Sequence, residues 1–220
     1  MAFLLQAFTS LISGVVLKAA LIVPGNISES MLRIASHAWL MRVNIVGEML
    51  TAAGIIFLGA ILFLTLREVN EKSALIGLGL YILEAALLAT SRIGALSLLR
   101  ISQEYAGAGH PADLLTAGNL AVEFMNFGYE LLMVPFCLGA MVFYSLFYKS
   151  SIIPRAVSLW GLAAVALSLI GTLSALAGHE VSFAVYLPYL PFEFFVGSWL
   201  LVQGGRKGLQ NQGRKNPQIP

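Results

Sequence analysis

The stretch NLAVEFMNFGYELLMVPFCLGAMVFY, residues 119–144, is the most polar of the long apolar segments in this sequence. Asn119, Glu123, Asn126 and Glu130 recur in it at intervals of four, three and four residues. At about 100° of rotation per residue in an α-helix, these side chains share one face roughly 60° wide. Because carboxylates and carboxamides are costly in contact with lipid, this face is predicted to point into a helix bundle.

The composition indicates a polytopic α-helical membrane protein. Of 220 residues, 58% are hydrophobic and 11% are charged, and the mean hydropathy is +0.84, whereas about a quarter of the residues in a soluble domain are charged. Six stretches reach the roughly 20 mainly apolar residues that a bilayer-crossing helix needs. We therefore predict an all-α bundle of six transmembrane helices with a short amphipathic helix after the first. Residues 1–203 are expected to form a single transmembrane domain, and residues 204–220 a disordered cytoplasmic tail.

The predicted spans are separated by short polar or helix-breaking segments. They cover residues 3–23, 43–66, 73–99, 119–147 and 155–177, and a sixth span begins after Val181 and ends near Gln203. Asn26 followed by Glu29 resembles a capping box for an amphipathic helix over residues 28–40. In that helix the apolar residues Leu32, Ala35 and Trp39 are expected to lie on the membrane, with Arg33 and His37 toward water.

The basic residues predict the orientation of the chain. With both termini inside, eight Lys and Arg residues fall on the cytoplasmic side and four on the opposite side, and short cytoplasmic loops are the ones enriched in these residues. Both termini are therefore predicted to be cytoplasmic, in a cytoplasmic (inner) membrane. The first group is Arg67, Lys72, Lys149, Arg155, Arg206, Lys207, Arg214 and Lys215; the second is Lys18, Arg33, Arg42 and Arg100.

Several short motifs carry a resemblance to a known family. In chain order they read LIVPGN, WLMRVNIVGEML, LREVN, YILEAALLA, YKSSIIPRAVSLWGLAA and LPFEFFVGSWLLVQG. This ordered set resembles an uncharacterised bacterial multi-pass membrane family, the domain-of-unknown-function family numbered 4386. The resemblance covers nearly the whole chain and implies six spans. It implies no activity and no functional residues.

Five of the eleven acidic residues fall inside the predicted spans, namely Glu48, Glu84, Glu123, Glu130 and Glu193. Each carboxylate costs about 2.5–3.5 kcal/mol at the centre of a bilayer on insertion scales, so partners or a hydrated cavity are expected. We predict a polar cavity open to the non-cytoplasmic side, with Glu84 and Glu130 at its floor and Arg92 as a counter-charge. The candidate residues for ligand binding or proton coupling are Asn44, Glu48, Glu84, Arg92, Glu123, Asn126, Glu130 and Glu193.

These residues are compatible with three classes of function. The leading interpretation is binding or transport of a small ligand, proton or cation through the acidic cavity. The alternatives are a membrane-embedded enzyme that uses Glu123 or Glu130 as acid/base, with or without a metal, and an accessory subunit of another membrane protein. Buried polar side chains can also simply bridge helices, with contacts worth roughly 0.6–2 kcal/mol each.

Few features point to a metal, a cofactor or a macromolecular partner. His37, His110 and His179 are candidate metal ligands, all in connections assigned to the outer side, although no HExxH or CxxC motif accompanies them. No cofactor motif is evident. The formal net charge of +2 gives no basis for nucleic-acid binding. The expected surroundings are the lipid bilayer and, because the chain is small and has no internal repeat, a second copy of the chain in a homo-oligomer.

Overall fold

The computed structural model describes residues 18–199, and the described elements are helical. Most of the predicted first span, the end of the sixth span and the predicted tail lie outside this range. The elements are α1 (Lys18–Leu21), α2 (Ile27–Ser36), α3 (Ala38–Gly107), α4 (Ala112–Ser150), α5 (Arg155–Leu176), a 3₁₀ turn (Phe183–Val185) and α6 (residues 189–199).

The 70 residues of α3 form two antiparallel halves that meet at Asn70. Asn70 has the extended dihedrals φ −162° and ψ 103°, and its Oδ1 accepts a hydrogen bond from the backbone N–H of Ser73 at 2.9 Å, as an N-cap residue does. A Cβ atom on Gly59 would lie 3.2 Å from side-chain atoms of both Leu78 and Tyr81. In one straight helix, Gly59 and Tyr81 would be about 33 Å apart. We call the halves α3a (residues 38–69) and α3b (residues 71–107).

Helix α4 runs antiparallel to α3b along most of its length. A Cβ atom on Gly77 would lie 2.8 Å from the ring of Phe143, and one on Gly94 would lie 2.8 Å from the ring of Phe124. The Tyr81 ring packs edge-on against Phe143 with 5.2 Å between centroids. Small residues therefore let the two backbones approach closely, as is typical of helix pairs in membranes.

Helices α5 and α6 complete the described bundle through a second set of small residues. A Cβ atom on Gly161 would lie 2.6 Å from Cε2 of Phe192, and one on Gly171 would lie 2.8 Å from Cγ1 of Val185. The Phe192 ring is fully buried and packs edge-on against Trp160 with 5.7 Å between centroids. Close packing is thus the role of these glycines.

The predicted fold class is confirmed at the level of an all-α membrane-type bundle. Within residues 18–199, three helices are long and apolar enough to cross a membrane: α3, α4 and α5, with 70, 39 and 22 residues. The predicted six spans are therefore not confirmed by the described residues. The predicted second and third spans correspond to α3a and α3b, and both halves exceed the about 20 residues that a crossing requires.

Helix α2 differs from its prediction in length and in the face that it buries. It ends at Ser36, because His37 has the non-helical dihedrals φ −119° and ψ 42°, and Trp39 belongs to α3a. Met31 and Ile34 are fully buried against the bundle. The expected face of Leu32 and Trp39 is exposed. The predicted short amphipathic helix is therefore present, but it ends at Ser36 instead of at residue 40, and it buries Met31 and Ile34, which the prediction did not name.

Candidate functional site

A cavity of about 680 Å³ lies among α3, α4, α5, α6 and the connection before α6; we call it the acidic cavity. The described residues that line it include five glutamates and neither Lys nor Arg. His179 and Glu180, in the loop after α5, are exposed and line one end. The cavity therefore extends from the bundle interior to this surface loop. Its glutamates are Glu48, Glu84, Glu130, Glu180 and Glu193.

Glu84 on α3b is the most deeply placed of these carboxylates. Only 3% of its surface is exposed, and its Oε2 atom has no hydrogen-bond partner within the described part of the protein. Tyr81 and Leu88, on the same helix face, are also buried, which shows that α3b turns this face inward. A buried polar atom without a partner is unfavourable by roughly 1–3 kcal/mol, and more when it is charged. Glu84 thus presents unused hydrogen-bonding capacity to the cavity.

Three of the other cavity carboxylates come from three further helices. Glu48 on α3a is 5% exposed and lies one turn from Thr51, which also lines the cavity. Glu130 on α4 and Glu193 on α6 are partly buried. Glu193 and Glu84 line the same cavity, where two negative charges would repel each other. Four helices therefore bring carboxylates that are far apart in sequence to one volume.

Aromatic side chains form much of the remaining wall. The Tyr189 hydroxyl is 3.1 Å from that of Tyr144, and the Tyr186 hydroxyl is 3.4 Å from Thr172 Oγ1. The Phe136 ring packs edge-on against Tyr189 with 5.1 Å between centroids. These contacts fix the rings around the cavity. The aromatic lining residues are Tyr129, Phe136, Phe183, Tyr186, Tyr189 and Phe194.

The aromatic wall is the part of the site that the sequence prediction missed. Tyr129, Met133 and Phe136 recur at spacings of four and three residues on α4, which places them on one face of the helix. This spacing is a usable signal. It is also typical of ordinary core packing, so it could not by itself have identified a ligand site.

Glu123 and Asn126, two of the predicted site residues, do not line the cavity. Both are exposed, so the prediction that the whole stripe points into the bundle is wrong for this half of it. Helix α4 packs on α3b instead through Ala121 and Met125, since a Cβ atom on Gly94 would lie 3.1 Å from the Ala121 carbonyl and 3.0 Å from Met125 Cγ. Asn126 follows Met125 and is rotated from it by about 100° around the helix axis, so it does not share the face that packs on α3b. The stripe enters the cavity only at Glu130.

Asn44 and Arg92 are buried, at 3% and 7% exposure, outside the set of cavity-lining residues. Arg92 donates hydrogen bonds from Nε and Nη2 to Ser91 Oγ, at 3.1 and 2.9 Å. The predicted role of Arg92 as a counter-charge to the cavity carboxylates stays a prediction.

The three candidate metal-binding histidines lie in different surroundings. His37 is exposed between α2 and α3a, the His110 ring packs against Tyr105 with 5.0 Å between centroids, and His179 lines the acidic cavity. In the described part of the chain, no group of three or more His, Cys, Asp or Glu residues is arranged to hold a metal ion.

Three helices long and apolar enough to cross a membrane place this protein in the class of α-helical membrane proteins, and the acidic cavity lies among its helices. Comparison with known families makes the assignment more specific. The chain matches the family described as Domain of unknown function (DUF4386) over residues 1–204, and it belongs to this family. No curated protein and no solved structure matches it.

Proposed function

We propose that this protein binds a small organic cation in the acidic cavity and carries it across the membrane. The observation that supports this proposal most directly is Glu84. Its carboxylate is buried, its Oε2 atom lacks a partner in the described structure, and it faces a cavity lined by other glutamates. A cationic ligand would neutralise the negative charge, and one that carries an N–H group would also donate the missing hydrogen bond.

The charge of the lining favours a cation over an anion or a neutral solute. The described cavity residues provide five carboxylates and no Lys or Arg. In a low-dielectric interior, opposite charges attract strongly and like charges repel strongly. An anionic ligand would therefore meet uncompensated repulsion from Glu84 and Glu193. A cation entering between these two carboxylates would relieve the repulsion that they exert on each other.

The shape and the aromatic lining favour an organic cation over a metal ion. A volume of about 680 Å³ lies within the about 300–1,000 Å³ typical of sites for drug-sized ligands. Aromatic rings attract cations over their faces and also cover an apolar ligand body. Metal ions instead need several convergent ligands, and the described residues form no such group. An amine or a quaternary ammonium or phosphonium ion with an apolar body fits these features.

Transport would use competition between protons and the organic cation for the same carboxylates. When the ligand leaves, Glu84 and Glu193 remain in an apolar environment where two adjacent charges are unfavourable. Uptake of a proton would remove that penalty, and its release would restore the binding site. The protein would then exchange protons for an organic cation.

The proposed setting is a bacterial inner membrane that the chain crosses six times, with both termini in the cytoplasm. Arg67, Lys72, Lys149 and Arg155 all lie at the end of the bundle that contains Asn70 and the α4–α5 turn. Basic residues concentrate on the cytoplasmic side. The cavity end at His179 would then face the opposite side. A homo-oligomer is part of this proposal, because the chain is small and lacks an internal repeat.

Uptake into proteoliposomes tests the proposed function. Vesicles containing the purified protein and an outward proton gradient should accumulate a fluorescent organic cation such as ethidium faster than vesicles without protein. The Glu84→Gln variant should abolish the difference, whereas Glu123→Gln, the same change at an exposed position, should preserve it. If ethidium neither binds nor enters faster with the wild-type protein, the proposed transport is wrong.

Cysteine labelling tests on which side the cavity opens. Cys137 is buried and is replaced by Ala, and a single Cys is introduced at His179, which is exposed and lines one end of the cavity. A membrane-impermeant thiol reagent added to intact cells from outside should label this Cys, and ethidium should slow the labelling. Labelling that occurs only after access from the cytoplasmic side would contradict the proposed orientation.

A further inference from the structure

A second and separate groove lies between α3a and α3b, at the end of the bundle where α3a begins and α3b ends. It has a volume of about 430 Å³. We call it the arginine groove. It is lined by Arg42, Ile45, Val46, Leu96, Leu99, Arg100 and Gln103. None of these residues lines the acidic cavity.

The groove has a polar rim and an apolar floor. Arg42 lies one turn from Val46 on α3a, and Arg100 lies one turn from Leu96 on α3b. Because the two halves are antiparallel, both apolar residues lie deeper along the helix axes than the arginines do. Val46 and Leu96 are 58% and 48% exposed. Each basic side chain is therefore positioned above an apolar surface that faces the surroundings of the bundle.

Arg42 and Arg100 are exposed, and no ion pair of either arginine within 4.0 Å is present in the part of the chain that the structure describes. Guanidinium groups bind phosphate through two parallel hydrogen bonds, and their rigid fork suits a phosphodiester. The amide group of Gln103 adds a further donor at the same rim.

We propose that the arginine groove binds one anionic membrane phospholipid. Arg42 and Arg100 contact the phosphate of the headgroup, and an acyl chain lies along Val46 and Leu96. The apolar floor distinguishes this ligand from a free phosphate ion, which would gain nothing from it. Basic pockets between transmembrane helices are a recurrent way of binding anionic headgroups.

Native mass spectrometry with defined lipids tests this site. The probes are phosphatidylglycerol and phosphatidylcholine with identical acyl chains, supplied in equal amounts to the purified full-length protein. The wild type should retain phosphatidylglycerol preferentially. In the double variant Arg42→Gln, Arg100→Gln this preference should fall about 30-fold, since each basic residue near a membrane surface contributes about five-fold in affinity. Arg67→Gln, an exposed arginine at the opposite end of the bundle, should leave it unchanged.

A groove-filling variant separates the headgroup from the acyl chain. Val46→Trp keeps both arginines and fills the apolar floor, so it should weaken retention of phosphatidylglycerol. In a separate competition experiment, inorganic phosphate should not displace the lipid from the wild-type protein. The proposal is overturned if the double variant and Arg67→Gln behave alike. It is also overturned if Val46→Trp has no effect, or if inorganic phosphate competes as well as the lipid does. All substituted positions are exposed, and circular dichroism with size-exclusion chromatography verifies folding.

Discussion

Replacement of Glu84 by Gln is the change that best tests the acidic cavity. The variant keeps the size and shape of the side chain and removes its negative charge. Because Glu84 is 3% exposed, its attraction to a bound cation is screened far less than at the surface. Two unit charges 4 Å apart interact by about 4 kcal/mol at an effective dielectric constant of 20. Loss of one partner of a buried charge pair is measured at about 2–5 kcal/mol.

The expected result is a large loss of affinity for organic cations. The lower limit of about 2 kcal/mol corresponds to a roughly 30-fold rise in Kd. Binding of tetraphenylphosphonium to the protein in detergent, measured by equilibrium dialysis or isothermal titration calorimetry, gives this number directly. Glu123→Gln is the matched control, because Glu123 is exposed and lies outside the cavity. Its Kd should stay within about two-fold of wild type, since exposed charges contribute about 0–1 kcal/mol.

The stability of the same variant separates a lost site from a damaged fold. Gln cannot be charged, so the variant no longer has a buried carboxylate to accommodate, and its melting temperature without ligand should not fall below that of the wild type. A Glu84→Gln protein that melts normally and binds tetraphenylphosphonium as well as the wild type does would refute the proposed role of Glu84. A lower melting temperature would indicate that Glu84 serves to join helices.

Three further predictions concern packing, capping and pH. Gly161→Ala should destabilise the protein by about 1–3 kcal/mol, because the new Cβ atom would meet the ring of Phe192. Gly79→Ala is the control and should not destabilise it, because a Cβ atom at Gly79 would have nothing within 4 Å. Equal melting temperatures of the two variants in detergent would contradict this packing. Asn70→Ala removes the side-chain cap of α3b and should cost about 1 kcal/mol; an unchanged unfolding temperature would show that the cap contributes nothing. Affinity for tetraphenylphosphonium should decrease as the pH is lowered, because a protonated carboxyl group offers no counter-charge. In Glu84→Gln the affinity should depend less on pH. A pH-independent Kd in the wild type would contradict competition between protons and the cation.

Local features of the sequence predicted the helical architecture well. Asn26 followed by Glu29 indicated a helix start, and in the structure Asn26 Oδ1 accepts from the Glu29 N–H at 3.0 Å. The polar segment predicted between the spans 43–66 and 73–99 contains Asn70, where α3 reverses direction. These features depend on interactions between residues three or four positions apart, or on the free energy of placing apolar segments in lipid. Such terms can be evaluated from a single stretch of chain.

The candidate site could be predicted only in part. Glu48, Glu84, Glu130 and Glu193 were identified because carboxylates are rare and costly within apolar spans, and all four line the cavity. The same argument selected Glu123, which is exposed. The cost of a buried charge indicates that a carboxylate needs a polar environment. It does not indicate which environment the fold provides.

By itself, the sequence determined that this protein is an all-α membrane-type bundle and which carboxylates lie within its spans. Only the tertiary structure decided which of those carboxylates line the same cavity. Contacts of Gly77 and Gly94 with α4 fix the rotation of that helix, and this rotation brings Glu130 to the cavity and leaves Asn119 and Asn126 exposed. Periodicity gives the relative angles of residues on one helix. The absolute direction of a helix face depends on the shapes of neighbouring helices, which are remote in sequence.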